Sequence, residues 1–256
     1  MAGSKHLPGT FCWFECGSRD AAKAKAFYTQ LFGWDAMDMP MPGTGGTYTT
    51  LQAGGETIAG LYGLEGPMFE GVPSHWATYV AVDDVDETLK RAVAQGGKAM
   101  MGPMDVPGVG RMAFLQDPTG AAIAVAKFEP NVGTSDKGPF GWSELATRDT
   151  ARAKVFYTEL FNWSAKPDPK NEYTEFQVGG RSIAGMMAMT PQHGDAPPHW
   201  LPYVMVDDCD RIAAKAAELG GRLYVPPMTI ENVGRFTVFA DPSGAALAAI
   251  KLTHPM

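Results

Sequence analysis

The sequence predicts an α+β protein built as two tandem copies, each containing two β-α-β-β-β modules. Three observations carry that prediction. The stretch F-Y-T-Q-L-F-G-W at Phe27–Trp34 returns as F-Y-T-E-L-F-N-W at Phe156–Trp163. The turn sequence D-P-T-G at Asp117–Gly120 returns as D-P-S-G at Asp241–Gly244. Between such landmarks, one stretch of helical periodicity is followed each time by several short runs bounded by Gly and Pro, the pattern of strands joined by turns.

The first element is a strand over Phe11–Gly17, followed by a helix opened by Asp20. A carboxylate there can accept the free backbone N–H groups of a first turn, and Ala24, Phe27, Tyr28 and Leu31 follow at the spacing of one buried stripe. Asp149, Ala153, Phe156, Tyr157 and Leu160 repeat this pattern. Gly33 and Asn162 come next, the residue types that most readily take the left-handed conformation ending a helix. Short strands near Trp34–Met39, Thr47–Gln52 and Thr57–Tyr62 complete the first module. The second has a strand over Trp76–Val82, an aspartate start at Asp83–Asp84, and a helix with Val85, Leu89, Ala92 and Val93 ending at Gly96–Gly97. Strands near Lys98–Met101, Arg111–Gln116 and Ala121–Phe128 follow. In D-P-x-G, proline at the second turn position pre-sets φ for a tight turn. The expected division is residues 1–128, an exposed linker at 129–138, and residues 139–256. Whether modules pair within a copy or exchange between copies stays open.

Composition excludes several function classes. The 256 residues carry a formal net charge of −7 with no clustered Lys/Arg run, which argues against nucleic acid as a partner. No stretch approaches the roughly 20 apolar residues of a membrane span, and the first residues hold no run suited to a signal peptide. The expectation is a cytoplasmic protein without membrane contact, monomeric or homodimeric. Cys12, Cys16 and Cys209 form no even-numbered framework and no C-x-x-C, and are expected to be buried thiols. His6, His193 and His254 lie near termini or in a loop and are expected to be solvated.

The succession of strand, Asp-started helix ending F-Y-x-x-L-F-x-W, then V-D-D, G-G, G-R and D-P-x-G resembles the vicinal oxygen chelate superfamily, the group of glyoxalase, bleomycin-resistance and extradiol dioxygenase proteins. The resemblance covers the whole chain twice and is nearest to tandem glyoxalase-like proteins. It implies two glyoxalase-like domains, each of two paired βαβββ modules whose sheets curl around a cleft. In metal-using members a divalent ion sits on His, Glu or Gln at matched places in paired modules. Those places fall here on Trp13, Gly60, Ala77 and Ala124, and on Trp142, Gly185, Leu201 and Ala248. None offers an imidazole, carboxylate or thiolate donor, so no cofactor is expected, with a shifted divalent-metal site left open.

Strand alternation indicates what fills the cleft instead. With period two, Trp13 and Glu15 point one way and Cys12, Phe14 and Cys16 the other. His75, Ala77 and Tyr79 share the matching face of the second module's first strand, and an antiparallel register with Trp13 opposite Ala77 brings Glu15 to His75. Trp142, Glu144, His199 and Tyr203 repeat the arrangement. The small residues Ala122, Ala124, Ala126, Ala246 and Ala248 are expected to leave room. The Glu/His pairs are either a polar handle for a small-molecule ligand, acting as binder or general base, or a structural hydrogen bond between modules. Arg111 and Arg235 are expected to form salt bridges beside their hairpins, with a grip on an anionic ligand as the alternative. The leading functional expectation is a small-molecule-binding protein with aromatic clefts and no metal. The alternatives are a glyoxalase-type lyase or isomerase acting on reactive carbonyls, a hydroxylase or dioxygenase, and a non-catalytic interaction module.

Overall fold

In a computed structural model of the chain, residues 6–41, 45–134, 138–168 and 172–254 are described. The expected Gly-rich loop of the first copy falls partly outside them. The first repeat contains β1 (Phe11–Ser18), α1 (Ala21–Phe32), β2 (Asp35–Pro40), β3 (Thr47–Ala53), β4 (Glu56–Gly63), β5 (His75–Ala81), α2 (Val85–Ala94), β6 (Lys98–Val106), β7 (Gly110–Gln116) and β8 (Ala122–Phe128). The second contains β9 (Phe140–Thr147), α3 (Thr150–Phe161), β10 (Ser164–Asp168), β11 (Tyr173–Val178), β12 (Arg181–Ala188), β13 (His199–Met205), α4 (Cys209–Glu218), β14 (Arg222–Ile230), β15 (Gly234–Ala240) and β16 (Ala246–Leu252). Each repeat contributes one eight-stranded sheet, in the orders β2-β3-β4-β1-β5-β8-β7-β6 and β10-β11-β12-β9-β13-β16-β15-β14. The fold is therefore α+β, with each β-α-β-β-β module laid out as the sequence predicts. No helix among the described residues is long and apolar enough to cross a membrane.

The helix signals act as their chemistry requires. Asp20, Asp84, Asp149 and Asp208 each accept the backbone N–H three residues on, at 2.9–3.0 Å. Ala24, Phe27, Tyr28 and Leu31 are the buried face of α1, and Ala153, Phe156, Tyr157, Leu160 and Phe161 that of α3. Gly33 and Asn162 end these helices at φ 72° and 56°. One position of the second stripe departs from expectation: Val93 is 48% exposed, and Thr88 takes its place in the buried face of α2.

By contact density the chain forms two compact units, and neither coincides with a repeat. One holds Met1–Trp13, Ala77–Gly133 and Trp142–Leu201; the other holds Phe14–Trp76, Thr134–Gly141 and Pro202–Met256. Each unit thus combines the first module of one repeat with the second module of the other. In the first unit, Val80, Leu89, Leu115 and Ile123 share one core with Leu145, Phe156, Tyr157 and Phe176. The G-G motif is explained by that packing. A Cβ on Gly97 would stand 2.8 Å and 2.9 Å from the Gln116 and Ala92 carbonyls and 3.3 Å from the Phe156 ring. Gly221 is confined in the same way by Ala240, Ala216 and Phe27 in the other unit.

Each unit is tied together by a buried polar chain. Trp200 Nε1 donates to the Tyr157 hydroxyl at 2.8 Å, and that hydroxyl donates to Asp117 Oδ2 at 2.8 Å. Asp117 Oδ1 meanwhile accepts from the backbone N–H groups of Thr119, Gly120 and Ala121, closing the D-P-T-G turn. Burial and the Asp117 charge push the Tyr157 phenol well above its usual pKa, so it remains a donor. In the second unit Trp76 donates to Tyr28 at 2.7 Å, and Tyr28 lies against Asp241. Cys16, standing where the second repeat has Leu145, also bonds the Tyr28 hydroxyl. Asp241 Oδ2 has no hydrogen bond.

Two local expectations, for His6 and the linker, are corrected, and those for the cysteines and for Arg111 and Arg235 are met. His6 is buried rather than solvated. The expected linker is not exposed throughout, because Thr134 is buried and its hydroxyl donates to the Ile58 carbonyl at 3.0 Å. All three cysteines are free and buried, and burial raises their thiol pKa values. Arg111 bonds Asp86 and Asp105, and Arg235 bonds Asp210, as salt bridges beside their hairpins.

Two stability outcomes follow from these contacts. Asp20→Ala and Asp149→Ala should each cost about 0.5–2 kcal/mol by urea denaturation while leaving ligand affinity unchanged; a binding loss at unaltered stability would place these aspartates in a site. Tyr157→Phe should cost roughly 2–4 kcal/mol, because it strands both a buried indole N–H and a buried carboxyl oxygen. Tyr28→Phe should cost less, since its aspartate already lacks that bond. Equal losses would show that the two chains carry the same weight.

Candidate functional site

Strand register assigns side chains to the sheet face away from the helices. Cys16 points to Tyr28 of α1, so its neighbours Glu15 and Gly17 project from the opposite, helix-free face. Glu15 pairs with Gly60 and Gly17 with Tyr62 across β1 and β4. Gly60 pairs with Thr50 and Tyr62 with Tyr48 across β4 and β3, and Met37 and Met39 extend the rows on β2. Glu15 is only 8% exposed, and the Tyr48 hydroxyl donates to its Oε1 at 2.6 Å. The Tyr62 hydroxyl and the His75 ring both lie over Gly17, where a Cβ would stand 3.1 Å from each. Burial, then the nearby Glu15 charge, pushes the Tyr62 phenol up from its usual value.

The second repeat builds the same core of the site. The Tyr173 hydroxyl donates to Glu144 Oε2 at 2.7 Å and accepts from Trp142 Nε1 at 3.1 Å. Glu144 pairs with Gly185, and Gly185 with Glu175. The Tyr173 hydroxyl sits where a side chain on Gly185 would have to be, so glycine is required for the tyrosine to reach the carboxyl. Burial and Glu144 push the Tyr173 phenol far above its usual pKa.

The histidines do not form the expected pairs. His75 makes no hydrogen bond to Glu15 among the described residues; its Nδ1 lies 2.9 Å from the Pro73 carbonyl. His199 is held likewise, 2.8 Å from the Pro197 carbonyl. A carbonyl only accepts, so Nδ1 carries the proton and Nε2 is left as the acceptor nitrogen of the neutral ring. Burial lowers the pKa of His199. With Nδ1–H given to the carbonyl of the preceding X-Pro segment, Nε2 of the neutral ring has no proton to offer the carboxylate across the strands.

Of the remaining predicted residues, Trp13, Tyr79 and Tyr203 are buried, and Trp142 is half-buried. The alanines leave less room than expected. Ala124 is fully buried, flanked across the ladder by Tyr79 and Phe114, whose rings meet edge-on at 5.4 Å. Ala248 is also fully buried, beside Tyr203 on the neighbouring strand. Tyr48, Tyr62 and Tyr173 were not among the predicted site residues. Their signal was Gly60 and Gly185, the glycines standing where the superfamily would place a ligand, and the tyrosines on the adjoining strand.

The residues present do not fit the superfamily's divalent ion. Its ligand positions carry no donor, a tyrosine hydroxyl fills the space over one of them, and no cluster of three or more His, Cys, Asp or Glu able to hold an ion occurs among the described residues. The tyrosine-capped carboxyl supports hydrogen bonding to a ligand.

Comparison with known proteins agrees with the architecture. A protein from Mycobacterium tuberculosis named "Putative glyoxylase CFP32" is 37% identical over 254 residues, covering 97% of both chains. The anthracycline biosynthesis protein DnrV of Streptomyces peucetius is 35% identical over 265 residues, covering 97% of this chain and 95% of its own. The Mn(II)-bound glyoxalase from Novosphingobium aromaticivorans superposes with a TM-score of 0.64 at 15% identity, over 95% of this chain and 82% of that one, a likeness of fold alone. The family model described as "Glyoxalase/Bleomycin resistance protein/Dioxygenase superfamily" matches residues 13–125 and 140–248. The chain belongs to the glyoxalase/bleomycin resistance protein/dioxygenase superfamily, which it represents twice in tandem.

Proposed function

We propose that the protein binds a small organic molecule on the helix-free face of its sheets, without a metal ion. The observation that carries this reading is the tyrosine-capped carboxyl, buried at Glu15 with Tyr48 and half-buried at Glu144 with Tyr173. A buried polar group set among aromatic side chains, with no metal donors at the superfamily's positions, is suited to orienting an organic ligand by hydrogen bonds. Trp13, Glu15, His75 and Tyr79 in the first repeat, and Trp142, Glu144, His199 and Tyr203 in the second, are the residues assigned to contact it.

One observation favours a second reading, acid–base chemistry on a reactive carbonyl compound. A backbone carbonyl on Nδ1 of His75 and of His199 places the free lone pair of the neutral ring on Nε2, the tautomer a general base requires. The name of the mycobacterial relative points to an enzyme, and that of the Streptomyces relative to a biosynthetic role. Under this reading His75→Ala or His199→Ala abolishes turnover and spares binding; under the first there is no turnover to lose.

The experiment that tests the first reading is metal analysis of purified protein combined with thermal melting. Zinc, nickel, iron and manganese should all be substoichiometric, and chelator should leave the Tm in place. A tight site occupied at about 100 times its Kd would add roughly 2.7 kcal/mol of stability. Near-stoichiometric metal whose removal lowers the Tm would overturn the proposal.

A further inference from the structure

The helix-free faces of the two repeats share one plan and differ in what surrounds the capped carboxyl. In the second repeat Tyr173 and Glu175 both have side-chain partners inside the protein. Tyr173 bonds both Trp142 and Glu144. Glu175, on the row of Glu144, accepts from Ser182 at 2.5 Å and pairs with Lys166 at 3.4 Å. Lys166 and Asp168 stand on the outer strand β10, so the rim there is charged and ion-paired.

In the first repeat the corresponding positions have changed together. Thr50 replaces Glu175, and the outer strand carries Met37 and Met39, 50% and 38% exposed. Tyr62 replaces Met187, and Gly17 replaces Ala146. The last two changes are physically linked, because a methyl group on residue 17 would crowd the Tyr62 hydroxyl at 3.1 Å. That hydroxyl makes no hydrogen bond among the described residues, although the side chain is only 9% exposed. That hydroxyl is not one of the fully buried unpaired polar atoms among the described residues, so water reaches it, and a solvated donor beside an exposed apolar rim can be turned to a ligand. Exposed methionines are soft, adaptable surfaces for flat apolar molecules, and the ring of Phe69 tilts against Tyr62 at 5.8 Å to extend the apolar wall.

We propose that the helix-free face of the first repeat is the ligand site, that it takes a flat, uncharged organic molecule bearing a carbonyl or ether oxygen, and that the Tyr62 hydroxyl donates to that oxygen. The corresponding face of the second repeat is its structural counterpart, with a charged rim in which Glu175 is already engaged by Lys166 and Ser182. This rests on the proposed function and narrows it to one face and one ligand chemistry. Glu15 sets the charge preference: it repels anions, and its presence beside Tyr62 keeps the phenol protonated as a donor.

The test is titration of the full chain with prodan, a neutral naphthyl ketone whose emission reports hydrogen bonding to its carbonyl. One equivalent should bind per chain. Tyr62→Phe should weaken binding roughly tenfold and move the bound emission to shorter wavelength, because the carbonyl loses its donor. Met39→Glu, at an exposed strand position, should weaken binding without that spectral shift. Two equivalents per chain, or one equivalent indifferent to both substitutions, would overturn the assignment to the first repeat and leave the proposed function standing. Absence of saturable prodan binding would overturn the ligand class, while the metal analysis decides the proposed function separately.

Discussion

The interaction on which the rest of the structure depends is the buried chain Trp200→Tyr157→Asp117. Asp117 belongs to the turn of the first repeat, whereas Tyr157 and Trp200 belong to the second. The carboxyl has already committed Oδ1 to the turn's backbone N–H groups. Its other oxygen is buried, and an unpaired buried carboxyl oxygen is costly. Satisfying it requires the α3 hydroxyl of the other repeat. Tyr28, Trp76 and Asp241 meet across repeats in the same sense, with Cys16 as an added contact. Three separate motifs, F-Y, H-W and D-P-x-G, therefore work as parts of one device that pairs modules between repeats.

Exchange of modules also explains the small residues at the helix ends. Gly97 and Gly221 follow their helices closely enough that a Cβ would meet two carbonyl oxygens and a phenylalanine ring from the other repeat's helix, Phe156 in one unit and Phe27 in the other. Packing density in such a core leaves no slack for an added methyl group. The duplication is thus an architectural requirement within each unit, since neither module of a pair has the other half of its core in its own repeat.

Duplication also frees one copy of the site to diverge. The capped carboxyl is common to both repeats, so it cannot distinguish them. What distinguishes them is the covering: Met37, Met39 and Tyr62 in one, Lys166, Asp168 and Met187 in the other. An ion-paired, hydrogen-bonded rim has little to gain from an organic ligand, whereas an exposed thioether surface beside an unpaired hydroxyl gains both apolar burial and a hydrogen bond.

The repeat, the aspartate caps, the buried helix stripes, the left-handed helix ends and the D-P-x-G turns were all determined by the sequence itself, because each depends on residues within a few positions of one another. Alternation likewise put Glu15 on the face opposite Cys16 correctly. It could not identify Tyr48 as the partner of Glu15, since that contact joins strands β1 and β3 through β4, and a β-bulge between Leu51 and Gln52 shifts the intervening register. Nor could it show that His75 would turn to Pro73, a choice between a local and a cross-strand bond. Which modules share a core was decided only by tertiary structure: Asp117 reads the same in sequence whether its last lone pair is met by Tyr28 or Tyr157, and only the packed chain brings one of those hydroxyls to 2.8 Å.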